Sequence, residues 1–163
     1  MCYEDHIAYL RKSIEVSRKA REAGNTPFGA VLVSPEGEIL LEQGNVEITE
    51  SHCTGHAEAS LMRAASMKYP KAFLWQCTLY TTAEPCAMCA GSIYWGNVGR
   101  VVYSISEKRL AELTGDDELN LTLDLPCTEV FARGRKNIKV IGPFPELEQE
   151  TVAVHEGFWS QAR

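Results

Sequence analysis

A histidine and a carboxylate two residues apart, His56 and Glu58, are followed thirty positions after the histidine by Pro85, Cys86, Ala87, Met88 and Cys89. One imidazole and two thiols are ligand types that zinc prefers. A structural zinc wants four protein ligands in a closed tetrahedron, whereas a catalytic zinc keeps three and leaves the fourth position to water. The three strong ligands here, His56, Cys86 and Cys89, match the second pattern. Zinc lowers the pKa of its water from about 15.7 to roughly 7, and Glu58 is placed to take that proton and pass it to a leaving nitrogen. A closed structural site stays open as an alternative, with Cys53, His52 or Cys77 as its fourth ligand. A lone Cys-x-x-Cys also occurs as a redox pair, but that reading uses neither the upstream His-Ala-Glu nor Pro85.

The elements around these residues must carry them to one place. Pro85 reads as a helix start at the first helical position. Thiols there face the positive end of the helix dipole, which favours thiolate, the metal-binding form. A spacing of three residues puts both sulfurs on one face of a turn. His56 is expected to open a helix running to about Tyr69, before Pro70. Upstream, Ile7, Leu10 and Ile14 mark a helix over about 4–23, stopped by Gly24 and Asn25. Ala30–Val33 and a segment beginning at Ile39 read as an antiparallel hairpin around Pro35-Glu36-Gly37. Further strands are expected over 78–82, 98–105 and 138–141, with helices over 107–113 and 146–161. Strands alternating with helices predict an α/β fold, a five-stranded mixed sheet with helices on both faces. Both ligand-bearing segments lie where open α/β sheets collect their sites, beyond strand ends. One domain spanning 1–163 is expected, since no linker or repeat interrupts the chain.

The sequence resembles the cytidine-deaminase-like superfamily of zinc-dependent deaminases, and within it the branch of guanine deaminases and tRNA adenosine deaminases. The resemblance rests on Pro27, Phe28, Gly29, Ala30 and Val31, on His56-Ala57-Glu58, and on Glu84, Pro85, Cys86, Met88 and Cys89, and it covers about residues 5–120. It implies a three-layer α/β/α sandwich and one Zn²⁺ per subunit, held by His56, Cys86 and Cys89. It also implies catalysis by Glu58 and a homodimer. The substrate contacts it implies are Asn45, Phe28, Trp95, the backbone of Ala57, and Asp117 or its neighbour Asp116. A carboxylate suits the amidine edge of guanine, because that edge presents N–H donors and the carboxylate only accepts. The chain departs from the branch at Cys53 and Gly55, where Pro and Ala are commoner before the histidine. It also has Gly115 where Phe is frequent.

The implied reaction is hydrolytic deamination of a free nucleobase or related small amino-heterocycle, guanine-like first. A tRNA adenosine deaminase and a cytosine or nucleoside deaminase are the enzyme alternatives, and a zinc-stapled binding module is the non-enzyme one. A formal net charge of −6 makes a nucleic-acid partner less expected. Two loose basic groups, Arg100/Lys108/Arg109 and Arg133/Arg135/Lys136/Lys139, read as ordinary solvated side chains. No apolar run has the length of a membrane span. Met1–Tyr9 lacks a signal-peptide pattern, so a cytoplasmic protein with unpaired cysteines is expected.

Overall fold

The computed structural model describes residues 1–159. Five strands form one sheet in the order β2-β1-β3-β4-β5. They are β1 (Gly29–Val33), β2 (Ile39–Gly44), β3 (Thr78–Ala83), β4 (Arg100–Ile105) and β5 (Lys139–Ile141). β1 pairs antiparallel with both β2 and β3, while β3, β4 and β5 run parallel. The mixed five-stranded sheet therefore has the expected form.

Strand side chains alternate between two faces, and each face has its own core. On one side Val31, Val33, Tyr80 and Val102 meet Leu10, Ile14 and Val16 of α1 (Tyr3–Glu22) and Val154 of α7 (Glu148–His155). On the other side Ala30, Leu32, Leu79 and Val101 meet three helices. These are α2 (Ala57–Lys68) through Leu61 and Ala65, α4 (Ala87–Gly96) through Ala90 and Ile93, and α6 (Cys127–Ala132) through Phe131. The central strands β1 and β3 are buried along their whole length, as expected for strands covered on both faces. The third layer follows from this pattern.

Several boundaries differ from the sequence expectations. α2 and α4 begin one residue later than expected, because His56 and Cys86 are their N-cap residues with extended backbone. Pro85 thus precedes the cap rather than occupying the first helical position. The short α3 (Lys71–Leu74), a 3₁₀ turn at Glu118–Asn120 and α6 lie in segments for which no element was expected. The last helix begins only at Glu148, after a 3₁₀ turn over Pro145–Leu147, and it ends at His155. The remaining expected stretch to Gln161 ends outside the described residues. The 107–113 expectation corresponds to α5 (Glu107–Thr114). No helix among the described residues is long and apolar enough to cross a membrane.

Candidate active site

Two segments converge beyond the carboxyl end of β3. The loop after β2 delivers His56 to the head of α2, and β3 passes through Glu84 and Pro85 to Cys86 at the head of α4. His56 Nδ1 lies 3.5 Å from Cys86 Sγ and 3.6 Å from Cys89 Sγ. All three donor atoms fall within 4.8 Å of one another. Among the described residues, neither His52, Cys53 nor Cys77 joins this group. Cys77 is buried beyond α3, with its thiol donating to Phe73 O, and His52 bonds to Thr54 and Glu50. The protein therefore offers three ligands, the donor count of a catalytic zinc.

The donor chemistry fits the ion. Hydrogen bonds from Cys89 and His56 hold the Cys86 thiol well below the usual thiol range. The bond to Cys86 raises His56. Cys86 also stands at the N-terminus of α4, where the helix dipole favours an anion. The ring's other nitrogen, Nε2, faces Glu47 Oε2 at 3.6 Å. A carboxylate on that side orients a ligating imidazole and fixes which nitrogen turns to the metal.

Glu58 lies in the first turn of α2 and is buried. Burial pushes its pKa up, against the pull of a 2.7 Å hydrogen bond that its Oε1 accepts from Thr81 Oγ1. A raised carboxyl is suited to shuttling protons near neutral pH. His56, Glu58 and Cys86 open into a cleft whose empty space, its solvent-open mouth included, is about 490 Å³.

The remaining expected contacts divide. Asn45 lines the cleft. Its backbone N–H donates to Phe28 O, and its Oδ1 accepts from Glu47 N at 2.9 Å. Phe28 also lines it, edge-on to the His155 ring with centroids 5.4 Å apart. Trp159 lies 6.1 Å from Phe28, and its Nε1 donates to His155 Nδ1. Ala57 is fully buried in the first turn of α2.

Trp95 is placed elsewhere. It is 73 % exposed and borders a shallow groove between the outer faces of α2 and α4, because the inward face of α4 at that level is taken by Ile93 and Gly96. Asp117 is also not among the cleft's wall residues. It caps the 3₁₀ turn, its Oδ1 accepting from Leu119 N at 2.9 Å, and the same turn presents Leu119 and Asn120 to the cleft instead.

Two carboxylates in the cleft carried no sequence expectation of their own role. Glu84 is buried and accepts from Glu107 N and Cys127 N, 3.0 Å each, tying the end of β3 to the heads of α5 and α6. Glu107 sits at the first position of α5 and is 5 % exposed. Burial first, then the charges of Cys86, Glu84 and Glu58, raise its pKa to about 8. Adjacency of Glu84 to Pro85-Cys86 was its only sequence signal, and Glu107 gave none beyond following a strand end.

Comparison with known proteins agrees with this arrangement. Residues 3–105 match the family model described as the cytidine and deoxycytidylate deaminase zinc-binding region. The chain is 33 % identical over 160 residues to a probable cytosine deaminase of Schizosaccharomyces pombe, covering 98 % of this chain and 96 % of that protein. It is 34 % identical over 122 residues to a tRNA-specific adenosine deaminase of Haemophilus influenzae, covering 71 % and 70 %. The X-ray structure of guanine deaminase from Bacillus subtilis superposes with a TM-score of 0.62 at 36 % identity, covering 72 % of this chain and 73 % of that one. The chain belongs to the cytidine and deoxycytidylate deaminase family, zinc-dependent hydrolases that act on the C–N bonds of cyclic amidines.

Proposed function

We propose that this deaminase acts on a free nucleobase or closely related small amino-heterocycle, guanine-like first. The observation that carries this reading is the character of the cleft: four carboxylates, Glu47, Glu58, Glu84 and Glu107, share its wall with neutral side chains and His56. Such walls offer a phosphate no Lys or Arg among the lining residues and suit a ligand rich in N–H donors. Phe28 and Leu110 supply apolar faces for a flat ring.

In this reading His56, Cys86 and Cys89 hold one Zn²⁺, which supplies, when bound, a water acidic enough to attack near neutral pH. Glu58 takes a proton from the attacking water on a carboxylate oxygen and returns it to the departing amine, so that ammonia leaves and a ring carbonyl remains. Thr81 holds the other role, keeping Glu58 Oε1 in one orientation. Asn45 and Phe28 bind the ring's edge and face. Cytosine is the second substrate reading, supported by similarity to the S. pombe protein along nearly the whole chain.

The same reading makes 1–163 one deaminase domain working in the cytoplasm as a homodimer. Met67 and Trp95, 81 % and 73 % exposed, give such a dimer apolar surface along α2 and α4, and sedimentation of the chain tests it. Ammonia release from guanine, cytosine, their nucleosides, adenine and a tRNA anticodon stem-loop tests the substrate. Turnover confined to free bases is expected. Turnover of the stem-loop alone, weakening steeply with salt, would overturn the proposal.

A further inference from the structure

Glu107 carries a buried carboxyl oxygen with no hydrogen-bond partner among the described residues. Its backbone is fixed twice over: its N–H donates to Glu84 Oε2 at 3.0 Å, and Ser106 caps the same helix by accepting from Arg109 N at 3.1 Å. These bonds set the head of α5 against the cleft, with Leu110 one turn on beside it. The side chain lines the cleft, yet Oε2 has no hydrogen-bond partner among the described residues. It does not belong to the group of metal ligands, which is confined to His56, Cys86 and Cys89. Leaving a buried carboxylate oxygen without a donor is costly, and native proteins rarely tolerate it without a ligand or water to complete it.

We propose that Glu107 is a substrate-binding residue, its carboxylate accepting a hydrogen bond from a ring N–H of the amino-heterocycle in the cleft. This rests on the free-base reading above, and it assigns to Glu107 the edge-reading part that Asp117 was expected to play. The two positions differ in what the fold does with them. Asp117 caps its own 3₁₀ turn through Oδ1 and is not among the cleft's wall residues, whereas Glu107 lines the cleft from a helix start anchored to Glu84. A ring N–H bonded to Glu107 favours the ionised form over the neutral acid that burial favours in its absence, and a carboxylate offers acceptors only, so the site selects bases that keep a hydrogen on that ring nitrogen and disfavours those alkylated there.

The test compares wild type with Glu107→Leu, which removes the acceptor without asking the core to bury a polar group, and with Glu107→Gln, which keeps a carbonyl acceptor. The substrates are guanine and cytosine, each beside the set of derivatives methylated singly at a ring N–H. Leu is expected to lower kcat/KM on the parent base about 10²-fold, mostly through KM, with zinc content unchanged. Gln should lose less than about tenfold, as fits one charge-assisted hydrogen bond. On the one methylated base that lacks the recognised N–H, wild type and Leu should perform alike. A uniform loss across all substrates, or no loss, would overturn the role of Glu107 while leaving the free-base reading standing. A wild type silent on both bases would overturn the free-base reading and this inference with it.

Discussion

At the scale of single residues, the proposed metal ligands and the proposed proton carrier stand apart. The donor atoms of His56, Cys86 and Cys89 face one another, while Glu58 turns to Thr81. Glu58→Gln keeps the size and the hydrogen-bonding reach of the side chain but cannot accept and return a proton. Its zinc content should match wild type by elemental analysis, and ammonia release should fall by about 10²- to 10⁴-fold. A variant with near-normal turnover would remove Glu58 from the reaction. Loss of zinc alongside turnover would instead make it part of the metal's support. Glu47 illustrates what spacing alone did not reveal. Its carboxylate approaches His56 Nε2 from nine residues upstream, a contact produced by the path of a loop and by no local periodicity.

At the scale of elements, the ligands are positioned by how their segments begin. His56 and Cys86 are both N-caps, so each lies at the junction where the chain's direction changes and the backbone N–H groups of a helix point outward. Gly55 makes the first junction possible. Its N–H donates to His52 O and its carbonyl accepts from Val46 N, and a Cβ there would lie 2.7 Å from Glu47 Cα and N. This is the physical reason that the alanine commoner at this place in the branch is absent. Gly55→Ala should cost on the order of 1–3 kcal/mol by overpacking. It should also push Glu47 from His56, seen as a lower melting temperature together with faster zinc loss to a chelator. An unchanged melting curve would show that the loop gives way freely.

The same scale explains what was legible in the sequence. Strands with alternating or continuous apolar runs, and α1 with its 3.6-residue stripe, could be read because burial imposes their pattern. The ligand triad was legible from residue type and spacing. The 3₁₀ turn at Glu118–Asn120 and helix α6 were not. The turn is too short to carry a period, and α6 is held by long-range contacts such as Cys127 N to Glu84, 43 positions apart. The direction of Trp95 was not legible either: a tryptophan ending an apolar helix carries no sign of which way the helix faces. Asp117 was harder to place, because a Gly-Asp-Asp-Glu turn can cap itself as readily as it can bind.

At the scale of the whole molecule, one wall of the cleft is backed by the last helix. His155, at the end of α7, packs edge-on to Phe28 and stacks with Trp159, while Arg21 of α1 donates to the carbonyls of Val154 and Glu156. First and last helices are thus joined behind the wall that Phe28 gives the cleft. Burial, with Arg21's charge adding to it, lowers His155 to about 4 from its ordinary value of 6.5. The unfolded chain therefore binds a proton that the folded one refuses. Between pH 6.5 and about 4 stability falls as pH falls, and above 6.5 this contribution is fully present. A difference of this size corresponds to at most about 3 kcal/mol. Chemical denaturation from pH 7.5 to 4.5 should show wild type losing stability more steeply than His155→Gln, which keeps an acceptor for Trp159 but cannot be protonated. The two should converge toward the acid end, where the histidine's penalty has been charged in full to the wild type. Parallel curves for the two proteins would mean that His155 takes up its proton without loosening the contact between α1 and α7. Acid inactivation would then have to begin among the carboxylates of the cleft.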